Sequence, residues 1–335
     1  MRKFRGTVLC VALLAVLATA GPQLAAGATP AWMKAPVLPA LTKKDQARLK
    51  ARVLAGEKLG LRQGVFAKVG DSNTEFSPEL YGLACRNPVA LPKVLRPTLN
   101  RYNRTRIANP RAFDDCLPNT SFSRRSSAAQ AGTFSTWSLS PVANLPDDGY
   151  WKKPEGCALD TAPLACELDA TMPRYALVML GTNDIGMDIY LDTLPGSQSL
   201  TRIRQVIRPI LARGVVPVLS TIPPVVWGGP EGQATFDAGV SRVNAAVWKL
   251  AKAYGLPMVN LWRAMQQPSM IDQGLSSDGL HLSVFGADGA MVGNFPGPTT
   301  MTDSVNFTPA ALRYGANRRN LILLKTLARL DKITG

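Results

Sequence analysis

Histidine is almost absent: the chain of 335 residues contains one, His281. That count excludes a multi-histidine metal site, and any imidazole chemistry must run through a single side chain. The five cysteines show no C-x-x-C spacing, so the sequence implies no bound metal and no other cofactor. After residue 28 no run is apolar for the ~20 residues that a spanning helix needs. Internal repeats, zinc-finger patterns and RNA-binding signatures are missing, and the basic residues are dispersed, so a specific nucleic-acid partner is not expected. With 46% hydrophobic and 18% charged residues, the composition is that of a globular chain with ample material for a core.

What is present begins with an address. Arg2, Lys3 and Arg5 precede an apolar run from Thr7 to Ala20, followed by the small-residue patterns Ala18-Thr19-Ala20 and Ala26-Gly27-Ala28. Residues 1–28 thus read as a cleaved signal peptide; the competing reading is a retained anchor, for which the Leu/Val-rich part is short. The expected destination is secreted or periplasmic. Of the net charge of +15, three charges lie in that segment, which has no acids, so the remainder keeps +12. A basic exported protein tends to meet anionic polymers or surfaces. Cys85, Cys116, Cys157 and Cys166 then face an oxidising compartment, where disulfides are the default. Three pairings are open, and sequence order suggests Cys85–Cys116 and Cys157–Cys166.

The chain then divides into a Pro/Ala-rich leader with a charged helix (29–60) and one larger domain (61–335). Val65 to Val69, Tyr175 to Leu180, Val215 to Thr221 and Met258 to Leu261 read as buried strands. Residues 77–170 read as long loops with short elements. Leu200 to Arg213 has helical spacing, with Pro209 expected to kink or split it. Phe236, Val240, Val243, Val247, Leu250 and Tyr254 recur at steps of four and three, marking a helix over 233–254. A basic helix over 309–332 completes the chain. Short apolar strands alternating with helices predict an α/β domain with a parallel sheet covered on both faces.

In such a sheet, functional residues gather at the carboxyl ends of the strands. Gly70-Asp71-Ser72-Asn73 and Gly181-Thr182-Asn183-Asp184 each follow a strand, and Asp278-Gly279-Leu280-His281 lies beyond the fourth. A serine hydroxyl needs a base within reach, and His281 is the sole imidazole available. Asp278, three residues earlier, is spaced to orient that imidazole and to stabilise its charged form. Backbone N–H groups near Ser72 and the Asn183 amide are candidate oxyanion donors. Trp227 and Trp262, beside Gly and Pro, read as local packing, and Asp184 reads as a turn or cap residue.

These three blocks, in this order, resemble those of the SGNH/GDSL hydrolase superfamily: Phe66 to Ser72 its first block, Gly181 to Asp184 its G-x-N-D block, and Asp278 to His281 its D-x-x-H block. The resemblance spans about residues 60–290. It implies a three-layer α/β/α domain with a flavodoxin-like parallel sheet, here carrying disulfide-bearing insertions. It makes Ser72 the nucleophile, with its own N–H in the oxyanion hole, and Asn183 a side-chain donor. It makes His281 the general base and acid, and Asp278 its partner. The remaining donor is a glycine N–H, for which Gly132 is the candidate and Gly149 a weaker one. Asn73 stands where the family name has leucine, and residues 282–308 form an insertion after His281.

The function implied is an exported serine esterase acting on an acylated polysaccharide, lipid or small alcohol. Two alternatives stay open: acyl transfer to a glycan by the same residues, and silent binding of an anionic wall polymer. An α/β-hydrolase is disfavoured, because Gly70 to Thr74 lacks the second glycine of a G-x-S-x-G elbow.

Overall fold

A computed structural model describes residues 29–76, 78–107, 119–148, 151–286 and 303–335. The expected signal peptide, Cys116 and Gly149 lie outside those residues. Four strands, β1 (Arg62–Gly70), β2 (Pro173–Met179), β3 (Val216–Ser220) and β4 (Met258–Val259), form a parallel sheet in the order β1-β2-β3-β4. Every residue of β2, β3 and β4 is buried. That burial explains why these segments read as continuous apolar runs instead of alternating ones.

The outer edge of β1 is covered by an irregular segment, 121–130, in place of a regular strand. Ser121 Oγ accepts from Phe66 N (2.9 Å), Ser126 Oγ donates to Lys68 O (2.6 Å), and Gly70 N donates to Ala128 O (3.1 Å). A parallel bridge joins Gly70 to Ala129. Side-chain hydroxyls thus do what a ladder would do, and the segment fills the place beside β1 that a flavodoxin-like order assigns to a further strand. Arg124 anchors the segment through a buried ion pair to Glu167, with Nε–Oε1 at 2.9 Å, and Ser127 N donates to the same carboxylate. Lys68, in the middle of β1, is 2% exposed. Its ammonium lies 3.3 Å from the centre of the Tyr81 ring and donates to Phe122 O (3.0 Å). Burial drives its pKa well below the ordinary lysine value, with Glu79 and Glu167 opposing.

Helices cover both faces. α1 (Lys43–Lys58) and α7 (Gly315–Thr334) pack on each other and on the sheet, with α2 (Arg96–Arg104) beside α7. α5 (Ser199–Ala212) and α6 (Gly229–Tyr254) form a second pair against β3. α3 (Pro163–Thr171) packs on β1, and α4 (Thr182–Tyr190) packs on α6. The α6 stripe read from the sequence is its buried face: Val240, Val243, Val247 and Leu250 are all buried. Pro209 does not split α5, contrary to expectation. It forgoes one backbone bond near the helix end, while Ile203, Val206, Ile207 and Ile210 remain buried on one side. The last helix begins at Gly315, after a short turn at Ala311–Arg313, and not at residue 309.

Cys157 and Cys166 are disulfide-bonded across nine residues, as sequence order suggested. Cys85 is also disulfide-bonded. The leader is docked: Asn260, just beyond β4, donates from its amide to Trp32 O (2.7 Å) and Ala35 O (3.0 Å). Among the described residues, no helix is long and apolar enough to cross a membrane.

Candidate active site

Gly70 pairs with Met179, so β1 and β2 end side by side. A Cβ on Gly70 would stand 2.2 Å from Thr74 Oγ1 and 2.7 Å from Met179 O, so only glycine lets the chain fold back here. Asp71 caps the following turn, accepting from Asn73 N at 3.1 Å, and Ser72 opens the short helix Ser72–Glu75. Burial pushes the Asp71 carboxyl up to about 6, against the Asn73 N–H and the Arg319 and His281 charges.

His281 and Asp278 sit in a tight hairpin. Leu275 and Leu282 form an antiparallel bridge, and Ser276 N donates to His281 O (2.8 Å). His281 Nδ1 lies 2.5 Å from Asp278 Oδ2. The other Asp278 oxygen accepts from Ser276 Oγ (2.6 Å), Leu280 N (2.9 Å) and His281 N (3.0 Å). Burial alone would raise this carboxyl. The His281 ring and the three further donors outweigh it and hold the group below the usual carboxylate range. Asp278 is therefore a fixed anion that orients the ring, and the ring itself is 22% exposed.

Asn73 joins this hairpin to the serine. Its amide donates to Leu280 O (3.1 Å) and its side-chain oxygen accepts from Leu282 N (3.2 Å), gripping the backbone on both sides of His281. Phe76, one turn on, stacks on the imidazole with ring centres 5.6 Å apart and planes at 25°. Arg319 of α7, 3% exposed, holds the serine helix from below. Its guanidinium donates to Asn73 O (2.6 Å) and pairs with Glu79 (3.1 Å). Ser72 thus opens a turn whose following residues are tied to the His281 loop, through Asn73 and Phe76, and to α7, through the Asn73 carbonyl.

Gly181, at φ +125°, makes the turn into α4, where a Cβ would meet Val243 Cγ1 at 2.5 Å. Asn183, on the first turn of α4, donates from its amide to Thr133 O (2.9 Å). The loop carrying Thr133 reaches back to the serine helix, because Ala131 N donates to Glu75 Oε2 (2.6 Å). Gly132, at φ +72°, stands between those two contacts. Its N–H, like that of Ser72, donates to no group among the described residues. Asp184 is more than a cap: its buried carboxylate accepts from Ser135 N (3.0 Å) and Oγ (2.7 Å) and lies 3.3 Å from Arg202. It fastens α4 to the Gly132 loop. Burial raises its pKa, with Ser135 and Arg202 opposing.

The structure therefore places Ser72, Asn183 and Gly132 around the ends of β1 and β2, with the Asp278–His281 hairpin clamped beside Ser72. Asn73 and Arg319 were not anticipated. The available signal for Asn73 was its polarity where the family name has leucine; Arg319 gave none, lying in a basic helix that reads as surface. Among the described residues, no group of three or more His, Cys, Asp or Glu is placed to hold a metal.

The arrangement can support nucleophilic attack by a serine, with a carboxylate-oriented imidazole as the proton carrier. Residues 124–288 match the model of the GDSL-like lipase/acylhydrolase family. No curated protein matches the chain. A GDSL-like lipase from Bacteroides thetaiotaomicron VPI-5482 is a structural neighbour at 14% identity and TM-score 0.39, over 71% of this chain and 90% of that one. A candidate platelet activating factor from Streptococcus pneumonia is another, at 17% identity and TM-score 0.40, over 72% and 86%. The family match spans the Asn183 and Asp278–His281 blocks, and the ends of β1 and β2 bring the Ser72 block beside them, which supports the resemblance of the chain to the SGNH/GDSL hydrolase superfamily.

Proposed function

We propose that the protein is an exported serine esterase working through an acyl-enzyme. The observation that carries this reading is the Asp278–His281 pair, 2.5 Å apart, held by Asn73 next to Ser72. Ser72 Oγ attacks the ester carbonyl carbon while its proton passes to His281 Nε2. The carbonyl oxygen becomes an oxyanion that accepts from the N–H groups of Ser72 and Gly132 and from the Asn183 amide. On collapse the bond to the alcohol oxygen breaks, and His281 delivers the proton to that oxygen. Water, deprotonated by His281, then attacks the acyl carbon; the free acid leaves and Ser72 regains its proton. Asp278 stabilises the imidazolium in both halves without itself taking a proton.

Export is supported by residues 1–28 as read from the sequence and by the Cys157–Cys166 disulfide. The test is the initial rate on p-nitrophenyl acetate for protein lacking residues 1–28, with Ser72→Ala alongside. Turnover abolished in the variant is the expected result; equal rates in both proteins would remove Ser72 from the mechanism.

A further inference from the structure

A cavity of about 570 Å³ opens beside the His281 hairpin, lined by the docked leader, the loop after β3, one side of α6 and the turn after β4. Its size is within the ~300–1,000 Å³ usual for small-molecule sites. Two indoles, Trp32 and Trp262, in edge-to-face contact with ring centres 4.9 Å apart, form part of its wall. Val225, Val226 and Val240 supply further apolar wall, while Asp237, Ser241, Gln266 and Gln273 line its polar side. The cavity is coupled to the catalytic loop in two places. Val226 N donates to Gly279 O (2.9 Å), inside the Asp278–His281 block. Gln273 lies five residues before Asp278, on the chain that enters the hairpin.

Two features mark this as a built site. Trp32 is 2% exposed, and its indole N–H has no hydrogen-bond partner. A buried donor left unpaired costs about 1–3 kcal/mol, and buried tryptophans usually find a partner. Asp272 and Gln273 both have positive φ, 44° and 54°, a costly conformation for side-chain-bearing residues. That strained turn sets the Gln273 side chain at the cavity, where its carbonyl accepts from Gln266 (3.2 Å).

From this lining we infer that the cavity binds an uncharged saccharide, the alcohol portion of the ester whose acyl group is transferred to Ser72. Sugar C–H faces pack on indoles and valines, while hydroxyls exchange hydrogen bonds with amides, a serine and a carboxylate. A fatty acyl chain would offer those polar groups no partner beyond the bonds that Gln273 accepts from Gln266 and Asp237 from Gln233, and an anionic sugar would face Asp237. The inference rests on the esterase reading of the adjacent loop, but binding can be tested without turnover.

The experiment titrates the Ser72→Ala protein lacking residues 1–28 with cellobiose, N,N′-diacetylchitobiose and mannobiose, and separately with octanoate, following tryptophan fluorescence and heat. At least one disaccharide is expected to bind at millimolar concentration or better and to perturb the fluorescence. The Gln273→Gly variant removes the amide at a position whose φ suits glycine, and is expected to weaken that binding about tenfold with an undiminished melting temperature. Octanoate binding with no disaccharide binding up to about 10 mM would overturn the proposal in favour of an acyl pocket. Silence with all four probes would overturn it outright. Absence of ester turnover by the native protein would sink the esterase reading alone, because saccharide binding by Ser72→Ala is measured independently.

Discussion

Replacing Asn73 by alanine tests how the site is assembled. The side chain is 3% exposed and makes two hydrogen bonds across the fold, to Leu280 O and from Leu282 N. Each is worth about 1 kcal/mol net, and the buried Leu282 N–H left unpaired adds its own desolvation cost, so the expected loss is about 2–4 kcal/mol in unfolding free energy. The catalytic effect is separate. Freed from Asn73, the hairpin keeps its internal Asp278–His281 contact but loses its registration against Ser72. A displacement of about 1 Å can cost on the order of a hundredfold in rate. The loss is expected in kcat with KM little changed, because Asn73 holds the catalytic loop and does not touch substrate. The assay pairs urea denaturation with p-nitrophenyl acetate kinetics for native, Asn73→Ala and Asn73→Asp proteins. Aspartate keeps the acceptor for Leu282 N–H but has no donor for Leu280 O, so it should fall between the other two. An alanine variant as stable as the native protein, with kcat within about twofold, would refute the clamp.

Other expectations follow from the same geometry. Burial pushes the Glu79 carboxyl up to about 7 from 4.5, against the pull of Arg319 and Lys68. The folded protein then keeps a proton that the unfolded chain has released, so stability should fall as pH rises between about 4.5 and 7, by about 3 kcal/mol at most. Asp71, raised to about 6, acts with the same sign. Denaturation midpoints from pH 5 to 8 should therefore slope less steeply in Glu79→Gln than in the native protein; parallel slopes would contradict the assignment. Asp184→Asn weakens the hold on Ser135 and Arg202, and should lower kcat about tenfold or more by loosening Asn183 and the Gly132 loop; an unchanged kcat on p-nitrophenyl acetate would show the link to be unimportant. Replacing Cys157 and Cys166 together by serine opens a loop closed across nine residues. The expected cost is about 2–3 kcal/mol, read as a lower melting temperature, and a native-like temperature would count against it.

Much was legible in the sequence because it was local. Continuous apolar runs gave the four strand positions, since a strand buried on both faces shows in its own residues. Steps of three and four marked the buried side of α6, although its first turn and the start of α7 were displaced by several residues. Asp278 and His281 could be paired because three residues of chain allow their side chains to meet. The unbroken α5 shows the limit of a local rule: Pro209 costs one backbone bond, and the packing of the isoleucines, which only the fold supplies, is enough to keep the helix continuous.

From its residues alone the chain reads as α/β, with Ser72, Asn183, Asp278 and His281 at strand ends or in the loop beyond the last strand; the Cys157–Cys166 pairing was one of the options left open, and the fold settled it. Tertiary structure decided what holds those residues in place. Asn73 meets Leu280 and Leu282 across more than two hundred residues, and Arg319 reaches the serine helix from the far end of the chain. Segment 121–130 stands in for an edge strand through hydroxyl side chains, and Trp32 of the leader becomes a cavity wall. None of these contacts has a period or a spacing. Each depends on polar groups that are far apart in sequence being buried together, where their only partners are one another.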